Sequence, residues 1–326
     1  MATSNNLDRF ATLRRKYSIF LILAIVFVGC SLISPNFLTP QNLSNVSKQI
    51  AISTIVAFGQ TLLIIAGMLD LAVGLTLALS GLSAVFFYKA TELLVPSLFV
   101  GVFVGLFVSL ITGMTVTKYK IPPFIATLGM LTAVRGVALL STNGQNIYQI
   151  GDFTIWGQSS VLGIPTPVWF MVGAWILTWY MLNHTKFGRS LYAIGGNEEA
   201  ARACGIKIAA IKIKAYLVCG AFTGLAGVLF MARVNTGLPN SGIGFELDTL
   251  SIAVIGGTSI TGGVGSATGT LAGAFIIGFI SNIMNLMAVP SYIQQIVKGV
   301  IIVVAVGYDI ASKMIRDKKN RLAKKA

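Results

Sequence analysis

Charged residues are scarce in this chain. They make up 10% of its 326 residues, whereas soluble domains carry about 25%. Hydrophobic residues make up 55%, and a water-soluble fold of that composition would expose large apolar areas, so the sequence predicts an integral membrane protein. The 24 cations outnumber the 10 acids, but they are not gathered on a basic domain with interleaved aromatic residues. This distribution argues against a nucleic-acid-binding protein.

Histidine, cysteine and nucleotide-binding motifs are also rare or missing. His184 is the only histidine, and the three cysteines, Cys30, Cys204 and Cys219, form no Cys-x-x-Cys pair. We therefore expect no metal site, disulfide framework or catalytic constellation, and hence no enzyme. No Gly-Lys-Ser/Thr triplet is present, which excludes a Walker A loop. The chain is expected to bind no cofactor itself, so any ATP and Mg²⁺ used in transport would be bound by a partner ATPase.

What the chain has in abundance is apolar runs of membrane-spanning length, with prolines at or near their ends. The ten predicted helices cover residues 17–33, 49–67, 70–88, 94–116, 122–140, 167–182, 212–232, 248–264, 266–287 and 291–309. The predicted fold class is therefore an all-α integral membrane protein. It has an N-terminal arm (1–16), a polytopic transmembrane domain (17–309) and a basic tail (310–326). Eight spans would also fit the sequence.

Lysine and arginine indicate the orientation. Nineteen of the 24 cations fall on one side of a ten-span arrangement, and none occurs from Gly136 through Thr185. Because cytoplasmic loops are rich in Lys and Arg, the connection around 144–166 is predicted to lie outside. Both termini, and a polar loop at 183–211, are predicted to lie in the cytoplasm.

The polar loop at 183–211 is the most unusual segment of the sequence. It contains Gly195-Gly-Asn-Glu-Glu-Ala-Ala-Arg202, in which two adjacent glutamates follow two glycines. Such a segment is costly to place in hydrocarbon, so it must lie in water. Two readings remain open from the residues alone: an ordinary cytoplasmic loop, or a docking surface for a partner protein.

Acidic residues within or beside membrane spans are candidates for a translocation pathway. Asp70 precedes the third predicted span, and Glu246 and Asp248 precede the eighth, which glycines interrupt and which could be re-entrant. These two spans occupy equivalent positions if the ten helices form two inverted five-helix repeats, and broken helices line the pathway in such folds. The candidate pathway residues are Asp70, Gly74, Glu246, Asp248, Gly256, Gly257 and Thr258. Alternatively, each acid caps a helix or pairs with Arg135 or Arg233.

Three glycine pairs follow the small-xxx-small spacing that allows membrane helices to approach closely. They are Gly101 and Gly105, Gly220 and Gly224, and Gly269 and Gly273. We expect these glycines to pack helices against one another.

Several motifs together resemble the permease subunits of bacterial ABC importers for monosaccharides, and within that family most closely the ribose permeases. The motifs are Ser34-Pro-Asn-Phe37, Asp70-Leu-Ala-Val-Gly74, Pro123-Phe-Ile-Ala-Thr-Leu-Gly129, Phe187-Gly-Arg189, Gly195 to Arg202 with Gly205-Ile206, Phe245-Glu-Leu-Asp248 and Gly256-Gly-Thr-Ser259. Ala72 departs from the family, which usually has a serine there. The resemblance covers the whole chain.

The resemblance implies a helical permease that translocates ribose or a similar sugar. It also implies three partners: a second permease copy, a cytoplasmic ATPase, and an extracytoplasmic sugar-binding protein. The polar loop would then hold the coupling helices that contact the ATPase. The residues carried over for that role are Gly195, Gly196, Asn197, Glu198, Glu199, Ala200, Arg202, Gly205 and Ile206. A hexose, a polyol, a ribose-like signalling molecule, and an ion-coupled secondary transporter remain as alternatives.

Overall fold

The computed structural model describes residues 19–323 and is mostly helical. The predicted arm 1–16 and the last three residues of the predicted tail lie outside the described residues. The helices are α1 (Ile19–Ile33), α2 (Pro40–Ile65), α3 (Val73–Thr91), α4 (Leu94–Thr117), α5 (Pro123–Thr142), α6 (Ile155–Gln158), α7 (Thr166–His184), α8 (Lys186–Gly196), α9 (Glu198–Ala203), α10 (Ile208–Val234), α11 (Phe245–Ile255), α12 (Ala267–Leu286) and α13 (Ser291–Ala323).

Six helices in the described part are long and apolar enough to cross a membrane: α2, α3, α4, α5, α10 and α12. Two shorter apolar helices, α1 and residues Ser291–Gly307 of α13, accompany them. The chain is therefore a polytopic α-helical membrane protein. α13 extends past the predicted end of the last span at 309, so residues of the predicted tail up to Ala323 continue the same helix.

Four two-residue strands lie in the connections. β1 (Ile147–Tyr148) pairs antiparallel with β4 (Thr236–Gly237), and β2 (Ser160–Val161) pairs antiparallel with β3 (Ile164–Pro165). A 3-10 turn at Gly151–Thr154 lies between β1 and β2. The first pairing ties the long connection after α5 to the segment that follows α10.

α2 lies at the centre of the fold, where it packs against α7, α10, α11 and α12. From Ile50 to Ile65 nearly every residue is buried. The helix begins at Pro40 rather than at residue 49, because Thr39 caps it by accepting a hydrogen bond from the Asn42 N–H and proline suits a first helical turn. Hydropathy missed this first part because residues 41–49 are largely polar.

Glycines bring the helices into close contact, as predicted. Gly105 of α4 faces Gly220 and Gly224 of α10, and a Cβ atom at any of the three would overlap backbone of the other helix. In the same way, Gly269 and Gly273 of α12 lie against the backbone of α11. The predicted role of these glycine pairs in helix packing is confirmed.

The third and eighth predicted spans are only partly helical. α3 begins at Val73 rather than residue 70, after an irregular segment at 66–72, and α11 ends at Ile255 rather than residue 264. Gly257, Gly262 and Gly263 have φ values of +86°, +83° and +76°, which a right-handed helix cannot include. The prediction of a helix through residue 264 is therefore wrong, whereas the predicted glycine-rich break is present.

The irregular segment before α3 lies beside the middle of α10. The Tyr216 hydroxyl of α10 donates a hydrogen bond to the Leu69 carbonyl at 3.2 Å, and Gly81 of α3 packs on Gly227 of α10. α11 is preceded by its own irregular segment, 235–244, and the two spans meet where Gly74 lies against Gly242. The helices of the two broken spans, α3 and α11, thus begin close to each other.

Candidate functional site

The polar loop predicted at 183–211 folds into the two short helices α8 and α9. Thr185 starts α8, since its Oγ1 accepts a hydrogen bond from the Gly188 N–H at 3.1 Å. Asn197 lies at the junction in an extended conformation, and its Oδ1 accepts a hydrogen bond from the Ala200 N–H at 3.0 Å. Because side-chain caps satisfy the N–H groups that a helix start leaves unpaired, these two residues fix where α8 and α9 begin.

The nine residues carried over for ATPase contact form one continuous region, which we call the coupling surface. Its members are Gly195, Gly196, Asn197, Glu198, Glu199, Ala200, Arg202, Gly205 and Ile206. Six of them are exposed, and Gly195, Glu198 and Ile206 are half-buried. The exposed residues are available to a partner protein.

The two glutamates of the coupling surface differ in their contacts. Glu198 pairs with Lys212 of α10 at 2.8 Å and with Arg202 at 3.4 Å, so it ties α9 to the start of α10. Glu199 is exposed and forms no ion pair with any described residue. An exposed ion pair contributes about 0–1 kcal/mol. Glu198 therefore holds α9 in place weakly, whereas Glu199 is free to contact a partner.

Gly205 ends α9. Its φ is +80°, and its N–H donates to the Arg202 carbonyl at 2.9 Å, while the Ile206 N–H donates to the Ala201 carbonyl at 3.1 Å. This is the usual way in which a glycine in the left-handed region closes a helix. The glycine thereby turns the chain from α9 into α10.

One side of α8 contacts the end of α2 and the glycine-rich connection after α11. A Cβ atom at Gly195 would overlap the Ile65 carbonyl oxygen and lie 2.5 Å from the Gly263 nitrogen. The Tyr192 hydroxyl donates to the Gly265 carbonyl at 2.8 Å, and partial burial raises the pKa of this phenol, so it remains a protonated donor. The coupling surface is thus attached directly to the end of α2 and to the glycine-rich connection after α11.

A groove of about 550 Å³ opens beside the coupling surface. On one side it is lined by the α4–α5 connection, including Lys120 and Pro122, and on the other by Glu198, Arg202 and Lys212. The connection between α4 and α5 therefore lies on the same side of the molecule as α9.

Asp70 is fully buried, with 1% of its surface exposed. Its Oδ1 accepts a hydrogen bond from the Ala72 N–H at 2.8 Å, just before α3, and Gln60 of α2 bonds to its backbone through both amide atoms. Asp70 is not part of the lining of the groove beside the coupling surface. Its carboxylate closes a local turn onto Ala72, the residue that precedes α3, and α3 itself has no side-chain cap.

Gly74 and Glu246 lie together. Glu246 is in the first turn of α11, and its Oε1 accepts a hydrogen bond from the Gly244 N–H at 3.2 Å. A Cβ atom at Gly74 would overlap the Gly242 carbonyl and lie 2.8 Å from Glu246 Oε2. Gly74 is therefore required for the close approach of the two broken spans.

Asp248 pairs with Lys298 of α13 at 2.8 Å. Neither Arg135 nor Arg233, the two partners considered from the sequence, forms an ion pair with any described residue. The two partners predicted for this acid are therefore wrong, since Asp248 pairs with a lysine fifty positions further along the chain. Asp248 also lines a cavity of about 180 Å³.

Three candidate pathway residues follow the end of α11. Gly256 packs against the backbone of Gly269 and Thr270, and Gly257 has a φ of +86°. The Thr258 side chain is buried, and its hydroxyl has no hydrogen-bond partner among the described residues. The candidate pathway residues therefore divide between two places: the junction around Gly74 and the connection that follows α11.

The sequence did not single out Tyr192, Ile65 or Gln60, although each makes a contact that positions a candidate residue. Gln60 offered a weak signal, since an amide within an otherwise apolar run needs a buried partner. The Ile65 contact is made by its backbone carbonyl, and no side-chain pattern reports such a contact.

The fold defines a polytopic α-helical membrane protein, and the coupling surface forms one largely exposed region on it. The chain matches the family described as "Branched-chain amino acid transport system / permease component" over residues 42–306, and it belongs to that family. The family is one of transport permease components and not of enzymes.

Permease proteins of ribose and L-arabinose transport systems resemble the chain along nearly its whole length. It is 40% identical to the ribose import permease protein RbsC of Escherichia coli (strain K12) over 304 residues, 92% of this chain and 94% of that protein. It is also 40% identical to RbsC of Bacillus subtilis (strain 168), covering 95% and 97%. Identity to the L-arabinose transport system permease protein AraH of Escherichia coli (strain K12) is 35%, covering 92% of each. No solved structure matches the chain.

Proposed function

We propose that this chain is the permease subunit of an ABC importer that translocates a monosaccharide, ribose or a similar sugar, across the bacterial inner membrane. The observation that carries the proposal is the 40% identity to ribose import permeases, which extends over more than nine-tenths of both chains. The identity to an L-arabinose permease, 35%, is lower but still covers 92% of each chain. Both relatives carry pentoses, which favours a pentose over an amino acid as the cargo.

The proposal includes three protein partners. A cytoplasmic ATPase would dock on the coupling surface, bind ATP and Mg²⁺, and hydrolyse the nucleotide. An extracytoplasmic sugar-binding protein would deliver the sugar. A second copy of the permease would complete the pathway.

In this proposal, closure of the ATPase pair moves α8 and α9, and the movement reaches the membrane domain through α8. Gly195 and Tyr192 contact the end of α2 and the connection that leads from α11 to α12. Because packed elements shift between discrete arrangements, a displacement of α8 would move these two segments with it. The permease itself performs no covalent chemistry.

The proposal also includes ten spans in two inverted five-helix repeats. Besides the six long helices, the spans would be α1, α7, α11 with its flanking irregular segments, and the apolar part of α13. Three tryptophans and a tyrosine lower the mean hydropathy of α7, although its 19 residues are enough to span. The meeting of the third and eighth spans at Gly74 and Gly242 supports the repeat arrangement.

The proposed orientation places both termini and the coupling surface in the cytoplasm. Cys204 is exposed next to Gly205, whereas Cys30 and Cys219 are buried. A membrane-impermeant maleimide should therefore label Cys204 in inside-out vesicles and not in cells whose outer membrane alone has been permeabilised. Labelling from the outside would reverse the orientation.

The test of function is reconstitution with the partner ATPase and sugar-binding protein, followed by ATP-driven uptake of a solute panel. The panel contains ribose, other pentoses, hexoses, polyols, ribose-like signalling molecules and branched-chain amino acids. We expect uptake and ATPase stimulation by a pentose. Uptake of an amino acid, or uptake driven by an ion gradient without ATP, would overturn the proposal.

A further inference from the structure

A cavity with a mixed polar and apolar lining lies between the helices, away from the coupling surface. It has a volume of about 180 Å³ and is bounded by α2, α10, α11, α12 and α13. Its polar side chains come from all five helices: Gln49, Ser53, Arg233, Asp248, Ser281 and Lys298. Charged and amide groups are expensive between apolar helices, so a cluster of them calls for a function.

The charges of the cavity are only partly balanced. Lys298 and Asp248 pair with each other at 2.8 Å. The guanidinium of Arg233 has no hydrogen-bond or ion-pair partner among the described residues, although the side chain is partly buried. A guanidinium carries five N–H donors and needs acceptor oxygens where water is scarce. The cavity thus holds unused donors next to a bound ion pair.

The mixture of groups selects the class of ligand. The Asp248–Lys298 pair is already neutral, so the unbalanced charge is that of Arg233, which repels a cation and needs acceptor oxygens. An uncharged solute with many hydroxyls suits it, because each hydroxyl both donates and accepts. Phe230 and Phe245 form an edge-to-face pair, with ring centroids 6.4 Å apart, in the same wall and supply apolar faces for ring or chain carbons.

The size of the cavity agrees with this class. A water occupies about 30 Å³ in the liquid, so the space corresponds to about six waters, the scale of one small polar solute. Asp248 belongs to α11. The connection that follows α11 contains Gly265, whose carbonyl accepts a hydrogen bond from the Tyr192 hydroxyl of α8. A ligand in the cavity would therefore lie against the same broken span that the coupling surface contacts.

We propose that this cavity is a transient binding site for the hydroxyl groups of the transported monosaccharide, with Arg233 and Gln49 as donors and Asp248 as acceptor. This inference rests on the proposed function. It places one sugar site inside a single permease protomer, between α2 and α13.

The first test compares two neighbouring residues of α2 in the reconstituted complex. Gln49 lines the cavity, whereas Lys48 reaches the Gln158 carbonyl at 3.4 Å outside it. Gln49→Leu and Arg233→Met should each lower sugar uptake about tenfold, the effect of losing one good hydrogen bond. Both should keep normal ATPase co-purification and basal ATP hydrolysis. Lys48→Met should transport at the wild-type rate. Wild-type uptake by both cavity variants would overturn the proposal.

The second test measures occupancy directly. Ser53→Cys, made in a Cys204→Ser background so that the exposed native thiol is gone, places a thiol in the cavity wall. During turnover, a small methanethiosulfonate reagent should modify this thiol, and transported sugar should slow the modification several-fold. A thiol that is modified at the same rate with and without sugar, or never modified, would overturn the proposal.

A failure of the proposed function and a failure of the cavity assignment give different results. If the wild-type complex transports no sugar, the proposed function fails. If it transports sugar while the cavity thiol is not protected, only the assignment of the cavity fails. A Ser83→Cys control on α3, outside the cavity, should show no effect of sugar.

Discussion

The backbone N–H of Gly263 donates a hydrogen bond to the carbonyl oxygen of Ile65 at 2.9 Å. This bond joins the glycine-rich connection between α11 and α12 to the end of α2, and Gly195 of α8 packs against both atoms of the bond. Three segments that are far apart in the sequence therefore meet at one point. That point lies between the coupling surface and the two broken spans.

Adjacent glycines test this contact. Gly195→Ala would place a methyl group on the Ile65 carbonyl, whereas a methyl group at Gly196 meets nothing within 4 Å. Overpacking typically costs about 1–3 kcal/mol, which corresponds to about 5- to 150-fold in an equilibrium. We expect Gly195→Ala to lower ATP-driven uptake by such a factor and Gly196→Ala, which changes only the outer face of the coupling surface, to lower it less. Equal uptake by the two variants in proteoliposomes would show that the contact transmits nothing.

The two glutamates of α9 should respond differently to charge reversal. Glu199→Lys should leave the thermal stability of the permease within about 0.5 kcal/mol of wild type, because Glu199 makes no ion pair among the described residues. It should nevertheless weaken ATPase binding at least tenfold in a pull-down titration. Glu198→Lys should disturb α9 itself, and adding Lys212→Glu should restore it because the pair at 2.8 Å is re-formed with reversed sign. Unaltered ATPase affinity in Glu199→Lys would remove Glu199 from the interface.

Asp70 should behave as a structural residue. Asp70→Asn keeps an oxygen that can accept the Ala72 N–H, so we expect it to retain most of the transport. Asp70→Leu loses this hydrogen bond at a cost of about 1 kcal/mol and leaves the Ala72 N–H unpaired, so less protein should reach the membrane in folded form. Uptake assays and the yield of monodisperse permease measure the two effects. Abolished transport in Asp70→Asn, with assembly and basal ATPase intact, would instead indicate direct sugar contact.

Helix packing can be tested on the isolated permease. Gly105→Ala would press a methyl group into the backbone of Gly220 and Gly224, whereas Gly129→Ala on α5 meets no atom within 4 Å. Both changes improve helix propensity equally, by about 1 kcal/mol, so their difference isolates the clash. We expect Gly105→Ala to be less stable than Gly129→Ala by about 1–3 kcal/mol in detergent unfolding. Equal stabilities would show that α4 and α10 can separate at no cost.

The sequence by itself determined the membrane class, most of the helices, the water-exposed loop at 183–211 and the glycine pairs that pack helices. These features depend on local composition and on spacing within one helix, which hydropathy and periodicity report directly. Capping chemistry at Thr185 and Asn197 is equally local, so the starts of α8 and α9 could be read from those residue types.

Only the tertiary structure decided what the polar residues of the membrane domain contact. It pairs Asp248 with Lys298, buries Asp70 under Gln60, and places Gly195 on the Ile65 carbonyl. It also ends α11 at Ile255, where positive φ values replace the helix that hydropathy extends to 264. Each of these contacts joins residues on different segments, and several are made by backbone atoms that carry no residue-specific signal. A prediction made from neighbouring residues in the sequence cannot include such contacts, so only the packing of the helices determines them.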